Sequence, residues 1–247
     1  MLSRALLYIG LFSSLSLLCA CASAPAPVKS ADANFKDAQA SYAAGKYADA
    51  ITQWKKVKEA YSSPELTTQA ELNIADAQFE NKDYLEAAAA YEDFRKLHPK
   101  NEKSAYALFR LGLSHYLQIT GIDRDQTPVK NAILAFEAFL SQYPDSVYAM
   151  QVKQKLADCQ IKQLQYENYV GNFYLRTGKY PSAIKRLSEA LVRFPGSAKL
   201  DQTLFYLGKA YQKSGDKVQA RETFTKLVQK YPKSPLAADA AKMLAGV

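Results

Sequence analysis

Residues 171–195 read Gly171-Asn172-Phe173-Tyr174-Leu175-Arg176-Thr177-Gly178-Lys179-Tyr180-Pro181-Ser182-Ala183-Ile184-Lys185-Arg186-Leu187-Ser188-Glu189-Ala190-Leu191-Val192-Arg193-Phe194-Pro195. Ala183, Leu187 and Ala190 step by 4 and 3, which puts small and apolar side chains on one helix face. Pro195 ends that helix, having no N–H to donate to it. Nine and twelve residues before Ala183 stand Tyr174 and Gly171, and five before it stands Gly178. Gly171 lets a partner helix approach closely, and Gly178 suits a tight turn that needs φ > 0. The stretch reads as helix, turn, helix, stop.

The same phrase recurs along the chain. It returns as Ala87, Tyr91, Phe94, Pro99, as Ala132, Phe136, Phe139, Pro144, and as Ala220, Phe224, Leu227, Pro232 after Gly208, Tyr211 and Gly215. A weaker first copy, Ala50, Trp54, Val57, follows Gly45 and lacks the proline. Two residues after each proline stands Asn101, Ser146, Ser197 or Ser234, side chains that favour helix N-caps. The pattern resembles the tetratricopeptide repeat, a helix-turn-helix unit of about 34 residues. It predicts an all-α chain, an α-solenoid of about five such repeats.

The small residues fall at 50, 87, 132, 183 and 220, giving intervals of 37, 45, 51 and 37. The interval of 45 contains an insertion from Leu117 to Pro128. Within it Asp123, Arg124 and Asp125 place two acids around an arginine, in a loop long enough to be a contact. Asp125 or Thr127 is also positioned to cap the helix that Pro128 opens. The interval of 51 adds residues before repeat four. Between Ser146 and Thr177 there is no proline, and the single glycine is Gly171. That predicts one helix on the order of 45 Å long, at about 1.5 Å per residue, joining the two halves rigidly.

At the amino terminus, Arg4 precedes an apolar stretch, Ala5 to Leu18, too short for a comfortable membrane span. The sequence Leu18-Cys19-Ala20-Cys21 resembles the bacterial lipobox, with Cys21 as the acylated residue because the small Ala20 precedes it. Ala22, rather than Asp, favours the outer membrane by the same resemblance. The next residues carry Pro25 and Pro27 and no apolar period, which reads as a flexible tether. The expected organisation is a lipoprotein signal peptide at 1–20, a lipidated tether at 21–33, and repeats one to three at 34–145 with the insertion at 117–128. The long helix, repeats four and five and a final helix fill 146–247.

The chain has 32 basic and 24 acidic residues. Lysines such as Lys55, Lys56, Lys58, Lys153, Lys155 and Lys162 are spread over helix faces, with no arginine-rich run or stacking motif. Solvated faces, an acidic protein partner or lipid headgroups account for them, and nucleic acid does not. With Cys21 acylated, Cys159 has no partner for an internal disulfide and reads as a buried structural thiol. His98 and His115 have no His, Cys or carboxylate at metal-ligand spacing. Gly45-Lys46, Gly178-Lys179 and Gly208-Lys209 lack the rest of a phosphate loop. Most of the 17 tyrosines fall where an aromatic fills the gap between helices. No catalytic set, cofactor or metal site is expected, and solenoids of this kind bind extended protein ligands.

The lipobox, the five copies, Gly121-Ile122-Asp123-Arg124-Asp125-Gln126-Thr127-Pro128 and the long helix into Tyr166-Glu167-Asn168-Tyr169-Val170-Gly171 resemble the BamD family of outer-membrane assembly lipoproteins. The resemblance implies a non-enzymatic subunit of the machinery that inserts β-barrel proteins into the outer membrane. It implies docking of the C-terminal repeats on periplasmic domains of the barrel-forming subunit BamA, alongside accessory lipoproteins, and reception of unfolded barrel precursors by the N-terminal repeats. It assigns part of the docking to Arg186. As local chemistry, Arg186 follows Ile184 and Lys185 on what reads as an exposed face, and a guanidinium forks onto carboxylates. Repeats four and five are more regular than that family's. The segment Tyr231-Pro232-Lys233-Ser234-Pro235 also resembles a Tol-Pal-associated periplasmic repeat protein, against which Cys21 speaks. A lipidated type IV pilus pilotin and a cell-wall hydrolase are the other classes, the last lacking its catalytic residues.

Overall fold

The structure, a computed structural model, describes residues 29–60, 63–197 and 199–246. The expected signal peptide, lipobox cysteine Cys21 and tether as far as residue 28 lie outside the described residues. The repeat unit begins at Ala31, three residues ahead of the expected boundary at 34.

Eleven helices are found among the described residues, and no strand. Repeat one pairs α1 (Ala31–Ala43) with α2 (Tyr47–Glu59), and repeat two pairs α3 (Pro64–Glu80) with α4 (Tyr84–Leu97). Repeat three pairs α5 (Ser104–Leu117) with α6 (Thr127–Gln142) across the insertion. The long helix α7 (Ala149–Arg176) pairs with α8 (Tyr180–Arg193), α9 (Leu200–Ser214) pairs with α10 (Lys217–Lys230), and α11 (Ala237–Ala245) ends the array. Helices pack chiefly on their neighbours in sequence, with α7 also touching α5 and α9. The core is accordingly a string of clusters: Trp54 and Val57 in repeat one, Phe94, Phe136 and Phe139 in repeats two and three, Phe224 and Leu227 in repeat five.

The small residues of the repeated phrase, Ala50, Ala87, Ala132, Ala183 and Ala220, are all fully buried. The turn inside four of the repeats is the same. Gly45, Lys82, Gly178 and Gly215 have φ of 72°, 66°, 75° and 88°. Each donates its N–H three residues back, and the next residue donates five back, as Gly178 does to Leu175 and Lys179 to Tyr174. This double closure satisfies the last helical carbonyls and requires a left-handed residue. In repeat two that residue is a lysine.

The exits are equally regular. His98, Tyr143, Phe194 and Tyr231, each followed by proline, sit at ψ between 54° and 57°, outside the helical region from which a following proline excludes them. Asn101, Ser146, Ser197 and Ser234 do not cap the next helix as expected. Each accepts from the N–H two residues on, and the helix proper begins three residues on. The side chain closes a polar turn that feeds the helix, a geometry that competes with a direct cap.

α7 is continuous for 28 residues. Ala149, Val152 and Cys159 belong to the core of repeats two and three, while Leu164 and Leu175 pack with repeats four and five. Cys159 is fully buried, and burial pushes its thiol up to about 12.

Candidate functional site

Leu164, Glu167, Asn168, Gly171 and Leu175 form the buried stripe of α7 that faces its neighbours. One of these five is a carboxylate. An ionised group in a packing stripe needs a counter-charge, and α8 supplies two. Arg186 sets Nε against Glu167 Oε2, and Arg193 places Nη1 3.7 Å from Glu167 Oε1. The two arginines are seven residues apart on α8, hence on one face. The Arg186 guanidinium also stands 5.6 Å from the ring centre of Tyr166.

These side chains line a cleft of about 380 Å³. Gln126 and Lys130, from the end of the insertion and the first turns of α6, form its other wall, with Gln163 and Glu189 completing it. The insertion therefore folds beside repeat four. Lys130, Arg186 and Arg193 against Glu167 and Glu189 leave one net positive charge.

One expectation changes. Arg186 is not on an exposed face: its side chain is 33% exposed and held by Glu167. The three charged residues of the insertion do not line the cleft. Asp123 and Arg124 lie 4.0 Å apart at the exposed surface. Asp125 accepts from the Thr127 N–H at 2.9 Å and from its hydroxyl at 2.8 Å. Those bonds hold the Asp125 carboxyl below its usual range. Asp125 thus organises the turn into α6, while Gln126 donates to the Arg124 carbonyl at 2.9 Å and aims the loop at the cleft.

A second groove, of about 620 Å³, lies between repeats one and two. Phe35, Leu72 and Phe94 supply apolar surface, and Gln39, Gln69, Asn73 and Asn101 supply carboxamides. A polar cluster joins α3, α4 and α5. Asp76 accepts from the hydroxyls of Tyr91 and Tyr106, the latter at 2.8 Å. Arg110 donates to Tyr91 at 3.1 Å and to Glu80 at 2.8 Å, with its guanidinium 3.6 Å above the Phe79 ring. Burial raises the Asp76 carboxyl despite those hydrogen bonds, and burial followed by the Asp76 charge raises both phenols. The tyrosines expected as gap fillers are therefore also donors. Tyr116 repeats the theme, donating to Asp158 at 2.7 Å, and that bond pushes its phenol up to about 12.

The lysine faces are less uniformly solvated than expected. Lys58 meets Glu71 at 3.2 Å, Lys162 meets Asp158 at 3.6 Å, and Lys155 stands 4.2 Å from the Tyr116 ring centre. His98 does have a carboxylate partner, Glu71, at 2.6 Å, brought from another helix and so invisible to sequence spacing. Among the described residues no group of His, Cys, Asp and Glu is placed to hold a metal ion, and no helix is long and apolar enough to cross a membrane.

The fold is a tetratricopeptide-type α-solenoid with a polar cleft between its third and fourth repeats. The YfiO family model, described as outer membrane lipoprotein, matches residues 27–223, and the chain belongs to that family. The outer membrane protein assembly factor BamD of Vibrio cholerae serotype O1 is 29% identical over 214 residues, covering 82% of this chain and 89% of that protein. The protein of the same name from Rickettsia prowazekii is 28% identical over 189 residues, 76% of this chain and 75% of that one. Among solved structures, MamA 41-end from Desulfovibrio magneticus RS-1 aligns at 17% identity, over 83% of this chain and 97% of that one. Its TM-score is 0.43, which leaves the assignment resting on the sequence family.

Proposed function

We propose that this chain is a non-enzymatic scaffold of outer-membrane β-barrel assembly, anchored to the membrane through lipid on Cys21 and facing the periplasm. Membership of an outer membrane lipoprotein family and the assembly-factor names of its relatives support a role in outer-membrane protein assembly. The observation that carries the finer reading is the cleft, where Arg186 pairs with Glu167 and the surplus charge is positive. In this reading the cleft docks on periplasmic domains of the barrel-forming subunit, BamA, and accessory lipoproteins join the complex.

Unfolded barrel precursors are the second ligand of this reading. The groove between repeats one and two supports it, since carboxamides match the donors and acceptors of an extended peptide and the aromatic floor takes an apolar side chain. Asp123, Arg124 and Asp125 serve as a secondary contact on the exposed insertion.

Affinity capture from detergent-solubilised outer membranes tests the proposal. Recovery of a large β-barrel protein with periplasmic domains, reduced by Arg186→Glu, is the expected result; recovery of Tol-system components instead overturns it. Cys21→Ser should leave the repeats folded and move the protein out of the membrane fraction. Unchanged sedimentation with membranes would sink the lipid anchor.

A further inference from the structure

Glu167 is buried, yet it faces the cleft and holds an arginine on each carboxylate oxygen. Arginine side chains are rich in rotamers, and two that share a wall without a counter-charge repel and spread. Paired with one carboxylate, Arg186 is largely buried against it and Arg193, 3.7 Å away and more exposed, is drawn to the same wall, which lowers the ordering cost that is a large part of association. The opposite wall adds Lys130. With three cations against two carboxylates, one further anionic group makes the cleft neutral.

We propose that Glu167 is a positioning residue that presents Arg186 and Arg193 together to a single carboxylate side chain on the docking partner. The inference rests on the docking reading of Arg186 and adds Arg193 as a second contact. It assigns Glu167 a role opposite to that expected from its charge.

That opposition makes the test decisive. Glu167→Gln keeps the shape and makes the cleft more positive, so simple attraction predicts tighter binding of an acidic group. Positioning predicts weaker binding, by about tenfold. The measurement is a titration of the full-length protein in detergent with purified periplasmic domains of the barrel-forming subunit. Glu167→Asp, which keeps the charge but shortens the arm, should also weaken binding. Glu167→Gln added to the double variant Arg186→Ala, Arg193→Ala should cost nothing further, because Glu167 acts only through those two side chains. Unchanged or tighter binding by Glu167→Gln overturns the proposal. If Arg186→Ala weakens binding while both Glu167 variants do not, positioning fails and docking stands. If Arg186→Ala has no effect, docking fails and positioning with it. Thermal melts by circular dichroism accompany each variant, and where the Gln variant melts early the Asp variant decides. Variants that alter binding to phosphatidylglycerol vesicles and leave the protein titration unchanged would also overturn the carboxylate assignment.

Discussion

Gly171 and Leu187 touch with no room for a side chain between them: a Cβ at position 171 would stand 2.5 Å from Leu187 Cδ2. The same approach joins Gly112 to Phe136, at 2.4 Å, and Gly208 to Phe224, at 2.6 Å. In each pair the larger residue is fully buried and cannot withdraw. Close backbone contact thus fixes the distance between the helices of the last three repeats.

Gly171→Ala tests this. Alanine gains about 1 kcal/mol of helix propensity over glycine, but forcing a methyl into a packed site costs about 1–3 kcal/mol. The short contact puts the cost at the upper end of that range, and the variant should lose about 2 kcal/mol net by chemical denaturation. A gain in stability would contradict the packing described.

Asp76→Ala should be more damaging. It leaves the Tyr91 and Tyr106 hydroxyls without their shared acceptor, a loss of about 2–4 kcal/mol. The acid's own titration has an unusual sign. Burial raises the folded carboxyl above its ordinary 3.8, so its contribution is fully present below that value and is lost as pH rises through the raised one. Melting curves of Asp76→Asn should lack that decline.

His115 acts in the other direction. Burial lowers its folded value below the ordinary 6.5, so its contribution is present above 6.5 and is lost as pH falls through the folded value. Melting temperature should drop on acidification across this window, and less so in His115→Gln. Equal pH profiles for the two proteins would remove His115 from the account.

Lys82 sits at φ 66°, where its three counterparts are glycines. The left-handed conformation costs an L side chain about 1–2 kcal/mol, part of which glycine returns as chain entropy. Lys82→Gly should therefore stabilise by about 0.5–1 kcal/mol, raising the melting temperature by about 2 °C.

The fold was legible because each repeat carries several small or aromatic residues at fixed offsets, and every one of those alanines is buried. The long helix was legible from the lack of proline and turn glycine between Ser146 and Thr177, and α7 fills most of that span. The turn at Lys82 was not, since hydrogen-bond closure imposes the left-handed conformation whatever residue is present. Arg186 was read from resemblance, but its environment was not, because Glu167 lies 19 residues away on another helix. One clue was available. Glu167 stands four residues before Gly171, in the stripe whose other members are Leu164, Asn168 and Leu175. A carboxylate in such a stripe requires a cation opposite. Arg193 and Lys130 carry no comparable signal, since only packing brings the end of the insertion against repeat four.

In an ordinary repeat array each unit rests on the next, and neighbours flex at every seam. Here the seam between repeats three and four is bridged by unbroken backbone, with Val152 and Cys159 locked on one side and Leu164 and Leu175 on the other. Opening it means breaking a helix, not sliding two surfaces. In the docking reading proposed above, α7 would work as a ruler: a partner gripped at Arg186 and a chain lying along the first repeats would be held at a set spacing.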